Sequence, residues 1–487
     1  MIIRLFAVAI LSFLATFCLQ AQEEVTLEQC KELALENNLK IKFATEQVGA
    51  ASALTKSART GYFPSFSANA LYMRTNRQIN LLENDLFIPS IPFSSIDPET
   101  NQFDPNRDPE NTFVLHPFTD EIIYDSDGNP IFQNYAWLPK DQLNFGAKNM
   151  FAGGVTVIQP IYTGGKIKEM HRISQHTEKL AQANLSKEES DVLFETEESY
   201  WRVVSLQEKV SMAKSYKELI EELNSNLNNL YDEGIVIRND LLKVQVKLNE
   251  AKLNLLKAKN GLSLSRMALC QLTGLPLGSK ITLIDSLNVT VKPIPDRAYV
   301  DSAFALRPEL EALNQSLNIA ESGINLMKSR YLPNVGLTGG YMMLNPNPYK
   351  GFSESFGGDW NVSIAVNIPI FHWNDKAHTL RAARHEKRAA EIKMKEAREL
   401  ISLEVQQAIY SANEAAKKVM MAEESLELAK ENLDVANDSF EEGMIKTTDV
   451  LEAQALWQSA QSELIEARME YKLSQVNLRK VSGNLIN

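Results

Sequence analysis

The stretch EGIVIRND at residues 233–240 returns as EGMIKTTD at residues 442–449, which indicates an internal duplication. Around it, residues 160–274 align without a gap with residues 369–483. A weaker copy precedes each block, in which Tyr62, Pro64, Tyr72 and Met73 match Tyr331, Pro333, Tyr341 and Met342. The first copy also carries an insertion between Met73 and Val155. A duplicated unit of this length predicts a quasi-symmetric molecule.

Each repeat is predicted to contain a helix, a strand, a loop, a second strand, a very long helix, a short turn and a medium helix. The long helices carry a heptad seam, in which Ala412, Ala415 and Val419 follow steps of three and four residues. Gly234 and Gly443 mark the turns at which the chain reverses. Each repeat is therefore predicted to end in an antiparallel helical hairpin.

Helix lengths predict how the hairpins are completed. At 1.5 Å per residue, helix 164–232 is about 100 Å long, whereas the returning helix 238–274 is about 55 Å long. Helix 38–61 supplies most of the missing length. The second repeat shows the same relation for helices 374–441, 447–483 and 308–332. We therefore expect each long helix to be paired by two shorter ones, with the segment 275–307 at their junction.

Strict alternation marks the last predicted strand, where Trp360, Val362, Ile364, Val366 and Ile368 alternate with polar or small residues. This period of two is typical of a transmembrane β-strand, and also of a half-buried strand in a soluble sheet. The other predicted strands are Pro64–Arg74, Phe151–Pro160 and Pro333–Met343. The loop 75–149 between the first two strands holds eight prolines and twelve acidic residues, and one hairpin is predicted at 121–133.

The N-terminal residues have the pattern of a secretory signal peptide, with Arg4 before the apolar core Leu5–Leu19 and a predicted cleavage site before Gln22. No later stretch approaches the roughly 18 apolar residues of a spanning helix, so any membrane role requires β-strands. The formal net charge of −12 disfavours nucleic acid as a partner. Cys30 and Cys270 follow no ligand spacing, and both a pair of free buried thiols and a disulfide remain open.

The predicted domains follow from these segments. They are the signal peptide 1–21, the N-terminal helices 22–62, the first β-hairpin 63–160, the first helical hairpin 161–275, the equatorial segment 276–307, the second-repeat helix 308–332, the second β-hairpin 333–369 and the second helical hairpin 370–487.

The sequence contains no catalytic constellation. Residues 163–166 (TGGK) resemble a phosphate-binding loop, but Pro160 and Ile167 stand where glycine and Ser or Thr are required. The histidines are scattered, and His171 and His176 do not share a helical face. We therefore predict no metal site, no cofactor and no enzyme activity.

Four membrane strands per chain cannot form a closed sheet, and edges exposed to lipid are not tolerated. The strand count therefore predicts an oligomer. Two copies would give eight strands, a size filled by its own side chains, whereas three copies would give twelve and leave an open bore.

Taken in order, the motifs resemble the TolC-type outer-membrane efflux proteins, or outer membrane factors, over essentially the whole mature chain. The resemblance rests on the duplication, on QPIY at 159–162 and IPIF at 368–371, on ALRPEL at 305–310 and on the two tip sequences. It implies an α+β membrane protein with four transmembrane β-strands per chain and a twelve-stranded barrel in a homotrimer. It also implies long antiparallel coiled-coil helices that form a periplasmic α-barrel, and hence a location in the outer membrane with a periplasmic helical extension.

The resemblance implies the passive channel component of a tripartite efflux or type I secretion system. The expected partners are a periplasmic adaptor (membrane fusion) protein, an inner-membrane transporter and outer-membrane lipid. Two alternatives remain open: a polypeptide-export conduit with the same fold, and a non-transporting periplasmic coiled-coil protein. The residues do not encode the cargo, because a wide channel with ordinary polar walls selects weakly.

Site residues are also implied by the resemblance. Asp449 and Glu452, one helical turn apart, match the acidic positions that narrow the tunnel. Asp240 matches the acidic member of a closing latch, but Phe440 and Ile445 replace its tyrosine and arginine partners. Candidate substitutes in the latch are Lys446 and Arg238. The candidate adaptor-docking turns comprise Gly234, Gly443, Lys446 and Arg238, and the candidate strand-helix corners are Pro160, Pro369, Pro64 and Pro333.

Overall fold

The computed structural model of the chain describes residues 23–76, 79–80, 82–140, 144–145, 148–292, 299–351 and 353–485. The predicted signal peptide lies outside the described residues. The helices are α1 (Leu27–Asn37), α2 (Leu39–Thr60), α3 (Pro109–Thr112), α4 (Lys166–Asp232), α5 (Arg238–Thr273), α6 (Tyr299–Leu306), α7 (Pro308–Ser329), α8 (Asp375–Glu441) and α9 (Thr447–Val481). The strands are β1 (Glu23–Val25), β2 (Ser65–Arg74), β3 (Ile79–Asn80), β4 (Leu86–Ser90), β5 (Asn134–Leu138), β6 (Asn144–Phe145), β7 (Asn149–Tyr162), β8 (Ile281–Leu283), β9 (Asn334–Asn345) and β10 (Gly357–Asn367).

The chain divides into two compact units. Among the described residues, the helical unit comprises those up to Thr60, those within Gly164–Leu332 and those from Ile370 onwards. The sheet unit comprises Gly61–Thr163 and Pro333–Pro369. Each unit draws on both repeats, because the chain leaves the helical unit and returns to it once in each repeat.

Each long helix in the helical unit is paired by two shorter ones, which confirms the prediction from helix lengths. Along α4, the Thr55 hydroxyl of α2 donates a hydrogen bond to the Ser174 carbonyl at 3.0 Å. Farther along α4, Leu241 and Val244 of α5 share an apolar cluster with Ile220. In the second repeat, α7 and α9 pack on α8 in the same way.

The middle of the helical unit contains the largest apolar cluster. The strands β1 and β8 pair in parallel there, with Glu23 opposite Ile281. Cys30 and Cys270 belong to this cluster as free, buried thiols, which answers the question left open by the sequence. Burial raises the pKa of Cys30 to about 12. The described part of segment 275–307 adds Leu287 to the same cluster, so it does lie at the junction of the helices.

Charged groups also connect helices in the middle of the unit. The buried carboxylate of Glu197 on α4 pairs with Lys31 of α1 at 2.8 Å and with Arg479 of α9 at 2.7 Å. A second link joins Asp191 of α4 to Lys480 of α9 at 2.7 Å. A buried carboxylate is tolerated when cations pair with it, so these ion pairs hold α1 and α9 against α4.

The sheet unit is built on four antiparallel strands in the order β10-β9-β7-β2. Trp360 of β10 lies opposite Tyr341 of β9, and Phe151 of β7 lies opposite Tyr72 of β2. Every residue of β2 is exposed, and so are nearly all residues of β10. Exposed strands on both edges of a four-stranded sheet leave backbone groups that must pair elsewhere.

The insertion between β2 and β7 has an apolar centre of its own, with Phe113 buried against Phe132. The strands β4 and β5 pair beside it, with Phe87 opposite Trp137. The hairpin predicted at 121–133 is present and turns at Asp127-Gly128, with Gly128 at a φ of +87°. Among the described residues, no helix combines the length and the apolar character needed to cross a membrane.

Candidate functional site at the hairpin tips

Both hairpins turn through the same backbone motif. In the first hairpin, the Gly234 N–H donates to the Tyr231 carbonyl and the Ile235 N–H donates to the Leu230 carbonyl, both at 2.9 Å. The second hairpin repeats both bonds, from Gly443 to Phe440 and from Met444 to Ser439. This is the Schellman pattern, which requires a left-handed residue after the helix.

The two tip glycines supply the left-handed residue. Gly234 has a φ of +79° and Gly443 a φ of +70°, and neither is crowded by neighbouring atoms. Glycine adopts such angles without the clash that a Cβ atom causes. Glycine at both turns therefore meets a backbone requirement. The docking role of these turns remains a prediction.

The predicted constriction residues Asp449 and Glu452 lie at the start of α9. Both side chains are exposed within the chain. The Asp449 carboxylate accepts a hydrogen bond from the Lys446 backbone N–H at 3.1 Å, so it also caps the helix. A carboxylate in the first turn is favoured by the helix dipole, which gives Asp449 a local stabilising role beside any role in conduction.

The predicted latch residues do not contact one another within the chain. Asp240 instead pairs with Lys243 one turn later on α5, at 3.2 Å. Arg238 and Lys446 are exposed, and no ion pair is formed by either among the described residues.

The two hairpins meet near their tips through apolar side chains. Phe440 and Ile445 pack against the cluster that contains Ile220 and Leu227 of α4. Val450 of α9 is buried in the same cluster. The positions expected to carry a polar latch therefore carry an apolar contact between hairpins.

Three of the four predicted corner prolines flank strand ends, and the fourth lies inside a strand. Pro64 and Pro333 immediately precede β2 and β9, and Pro369 follows β10 by two residues. Pro160 lies inside β7, where the register with β9 shifts between Pro160 and Tyr162. Proline lacks an N–H donor, so its presence at these positions ends or disturbs the ladder where the chain leaves the sheet.

Equivalent helix faces of the two repeats differ in burial, a feature that a search for motifs did not identify. Within the chain α9 packs on α4, so the equivalent contact would join α5 to α8. The chain does not bury these faces: Trp201 of α4 is 7% exposed, but its counterpart Tyr410 of α8 is 73% exposed. Likewise, Ile465 of α9 is 6% exposed and its counterpart Leu256 of α5 is 55% exposed. The seam positions alone could not have shown this difference, because the heptad describes pairing within a hairpin and not between hairpins.

No group of three or more His, Cys, Asp or Glu residues in the described part of the chain could hold a metal ion.

The profile of the family described as "Outer membrane efflux protein" matches residues 132–275 and 299–484, which include both hairpins. The chain belongs to this family. The two matched segments fall on the two repeats, in agreement with the internal duplication.

Curated relatives include the alkaline protease secretion protein AprF of Pseudomonas aeruginosa, which is 22% identical over 344 residues. That alignment covers 69% of this chain and 70% of the relative. The outer membrane protein TolC of Vibrio cholerae is 20% identical over 342 residues, with 69% and 77% covered.

Solved structures share the fold. The Campylobacter jejuni CmeC outer membrane channel superposes with a TM-score of 0.71 at 19% identity, and covers 94% of this chain and 85% of that one. The open state of the Neisseria gonorrhoeae MtrE outer membrane channel gives a TM-score of 0.70 at 16% identity, with 94% and 89% covered. As a member of the outer membrane efflux protein family with this fold, the chain is a TolC-type outer-membrane channel protein, with helices that extend into the periplasm.

Proposed function

We propose that the protein acts as a homotrimeric conduit that passively conducts cargo from an inner-membrane transporter and a periplasmic adaptor across the outer membrane. The unequal burial of equivalent helix faces carries the oligomeric part of this proposal. The exposed faces of α5 and α8 correspond to the buried faces of α9 and α4, so α5 of one copy can pack on α8 of the next. Repetition of that contact closes a ring, and such heterologous contacts are typical of cyclic oligomers.

A trimer provides partners for the free edges of the sheet as well as for the exposed helix faces. The edge strands β2 and β10 each lack a partner on one side among the described residues. Pairing β2 of one copy with β10 of the next would leave no free edge, and twelve strands leave an open bore. The trimer therefore accounts for the helical faces and the strand edges together.

A catalytic role is not part of this proposal, and the family consists of channel proteins. Polypeptide cargo is the second candidate, because one relative is named as a secretion protein for an alkaline protease. The purely structural coiled-coil alternative gains no support from the comparisons.

The test is the mass of the detergent-extracted protein, measured by multi-angle light scattering with the detergent contribution subtracted. We expect three chains per particle and recovery of the protein in the outer-membrane fraction. A stable monomer, or recovery in the soluble periplasmic fraction, would contradict the proposal. Transport is tested separately, by the loss of cargo export on deletion of the gene and its recovery with the intact chain.

A further inference from the structure

A cleft of about 460 Å³ lies between the two hairpins, close to their tips. One wall is a face of α4, and the other is formed by the end of α8 and the start of α9. Its apolar surface comes from side chains such as Leu219, Leu223 and Phe440. Its acidic groups are Glu222, Glu233 and Glu441, and none of the three forms an ion pair within the described residues. The residues that line the cleft include no lysine or arginine.

A buried glutamine gives an independent indication of a ligand. Gln454 of α9 lines the cleft and is 1% exposed, and its Oε1 atom has no hydrogen-bond partner. Leaving a buried hydrogen-bond acceptor unsatisfied destabilises the folded protein. A ligand that donates a hydrogen bond in the cleft would remove this cost.

The spacing of the groups restricts the ligand further. Glu222 lies on α4 and Glu233 caps its C-terminal end eleven residues later, which corresponds to about 16 Å along the helix axis. Between them the wall is apolar or carries amides. A compact hydrated metal ion would meet a single carboxylate and gain nothing from the apolar wall. A linear cation with separated charges and methylene groups between them matches both features.

We propose that this cleft binds a linear aliphatic polyamine. Its ammonium groups pair with Glu222 and with Glu233 or Glu441, its methylene groups lie on Leu219, Leu223 and Phe440, and one N–H donates to Gln454 Oε1. Because the cleft has a wall from each hairpin, the bound polyamine bridges them and stabilises their packing. This inference goes beyond conduction and does not depend on the identity of the cargo.

Isothermal titration calorimetry of the full-length, detergent-solubilised protein with spermine tests the proposal, at constant ionic strength. We expect saturable binding of one spermine per chain. Gln454→Leu removes the acceptor at nearly constant volume, and should weaken binding about tenfold, as loss of a hydrogen bond to a charged group does. Glu222→Gln, at the exposed mouth, should also weaken binding several-fold. The matched control Glu424→Gln removes a carboxylate elsewhere on α8 and should bind as the parent does.

Either of two titration results would overturn the proposal. The first is equal affinity of the parent, Glu222→Gln and Gln454→Leu proteins for spermine. The second is binding of Mg²⁺ as tightly as spermine, with mutual competition, because this would indicate unspecific attraction to carboxylates. If Gln454→Leu does not assemble, Glu441→Gln replaces it, since this exposed side chain has no packing role. A cryo-microscopy map with spermine adds a direct check, and a density confined to another site would also refute the assignment.

Discussion

At the scale of single residues, the two tip glycines are exposed and adopt left-handed backbone angles that other residues resist. A β-branched residue at Gly443 must adopt a φ near +70°, at a cost of about 1–2 kcal/mol or more. The helices on either side pack through many apolar contacts, so this cost should distort the turn without unfolding the hairpin. Gly443→Val is therefore expected to reduce cargo export while trimer formation and membrane insertion persist.

The control for this substitution is Gly278→Val, at a glycine that has an ordinary φ and open space around it. Export should be measured in cells with equal amounts of each protein in the outer membrane. Normal export by Gly443→Val would show that the turn has no part in docking.

The acidic residues at the start of α9 give a second prediction at this scale. In a trimer, three copies of Asp449 and Glu452 would place six carboxylates around the tunnel end, which favours cations and binds multivalent ones. We expect cation-selective conductance in planar bilayers, with block by divalent or trivalent cations added from the periplasmic side. Asp449→Ala together with Glu452→Ala should relieve the block and weaken the selectivity.

Asp449 also caps α9, so charge and structure must be separated. Asp449→Asn with Glu452→Gln removes both charges and keeps an oxygen acceptor for the Lys446 N–H. This pair should relieve the block to the same extent as the alanine pair. If block and selectivity persist in both correctly assembled variants, these carboxylates do not line the constriction.

At the scale of elements, the exposed face of α5 should be required for assembly and not for folding of the chain. Leu256 is exposed within the chain, so Leu256→Asp leaves the hairpin intact. In the assembly it would bury a carboxylate against the apolar α8 face of the next copy, which is strongly unfavourable. We expect normal helix content by circular dichroism and a loss of trimer by light scattering.

The matched control is Asn254→Asp, which introduces the same residue on the same helix. Its counterpart in the second repeat, Glu463, is exposed, so this position should face away from neighbouring helices. Trimer yield should be unchanged in the control, and a trimer that tolerates Leu256→Asp would exclude this face from the interface.

The elements also show what the sequence could predict. Helix α4 was expected at 164–232 and is found at Lys166–Asp232, and α9 was expected at 447–483 and is found at Thr447–Val481. Both are bounded by signals that act locally: heptad periodicity over many turns and a glycine after the helix. The N-cap of α1 also depends on local sequence, because the hydrogen bonds between Thr26 and Gln29 span three residues.

Such local signals could not predict contacts between residues that are far apart in the sequence. The pairing of β1 with β8 depends on residues far apart in the chain, and each strand is too short to show alternation. The burial of Gln454 could not be predicted, since its counterpart Gln245 has the same local pattern and is exposed. Local sequence determines that a helix forms, whereas the neighbouring helix determines which of its faces is buried.

At the scale of the whole molecule, a closed ring of copies and an open chain of copies should give different cross-linked species. Trp201 and Ile465 share one apolar cluster within the chain, so their counterparts Tyr410 and Leu256 should meet between copies. The double variant Tyr410→Cys with Leu256→Cys should therefore form disulfides between copies. Denaturing gels without reductant should show covalent dimers and trimers, with no larger species.

The native cysteines should not interfere with this experiment. Both are buried, and burial raises the pKa of Cys30 to about 12, so its reactive thiolate is scarce at neutral pH. The parent protein and the pair Tyr410→Cys with Asn254→Cys are the controls, and both should remain monomeric on the gel. A ladder beyond three chains would contradict ring closure.

The two hairpin turns share a backbone and differ in the side chains they expose. The first exposes Ile235 and Ile237 beside its glycine, and the second exposes Met444 and Lys446. Because the two repeats lie in one chain, their tips can differ in sequence, whereas identical subunits in a sixfold ring would have identical tips. A partner protein with a single binding sequence would thus meet two different binding surfaces that alternate around the ring. Its stoichiometry, three or six copies per channel, would then depend on whether it accepts both.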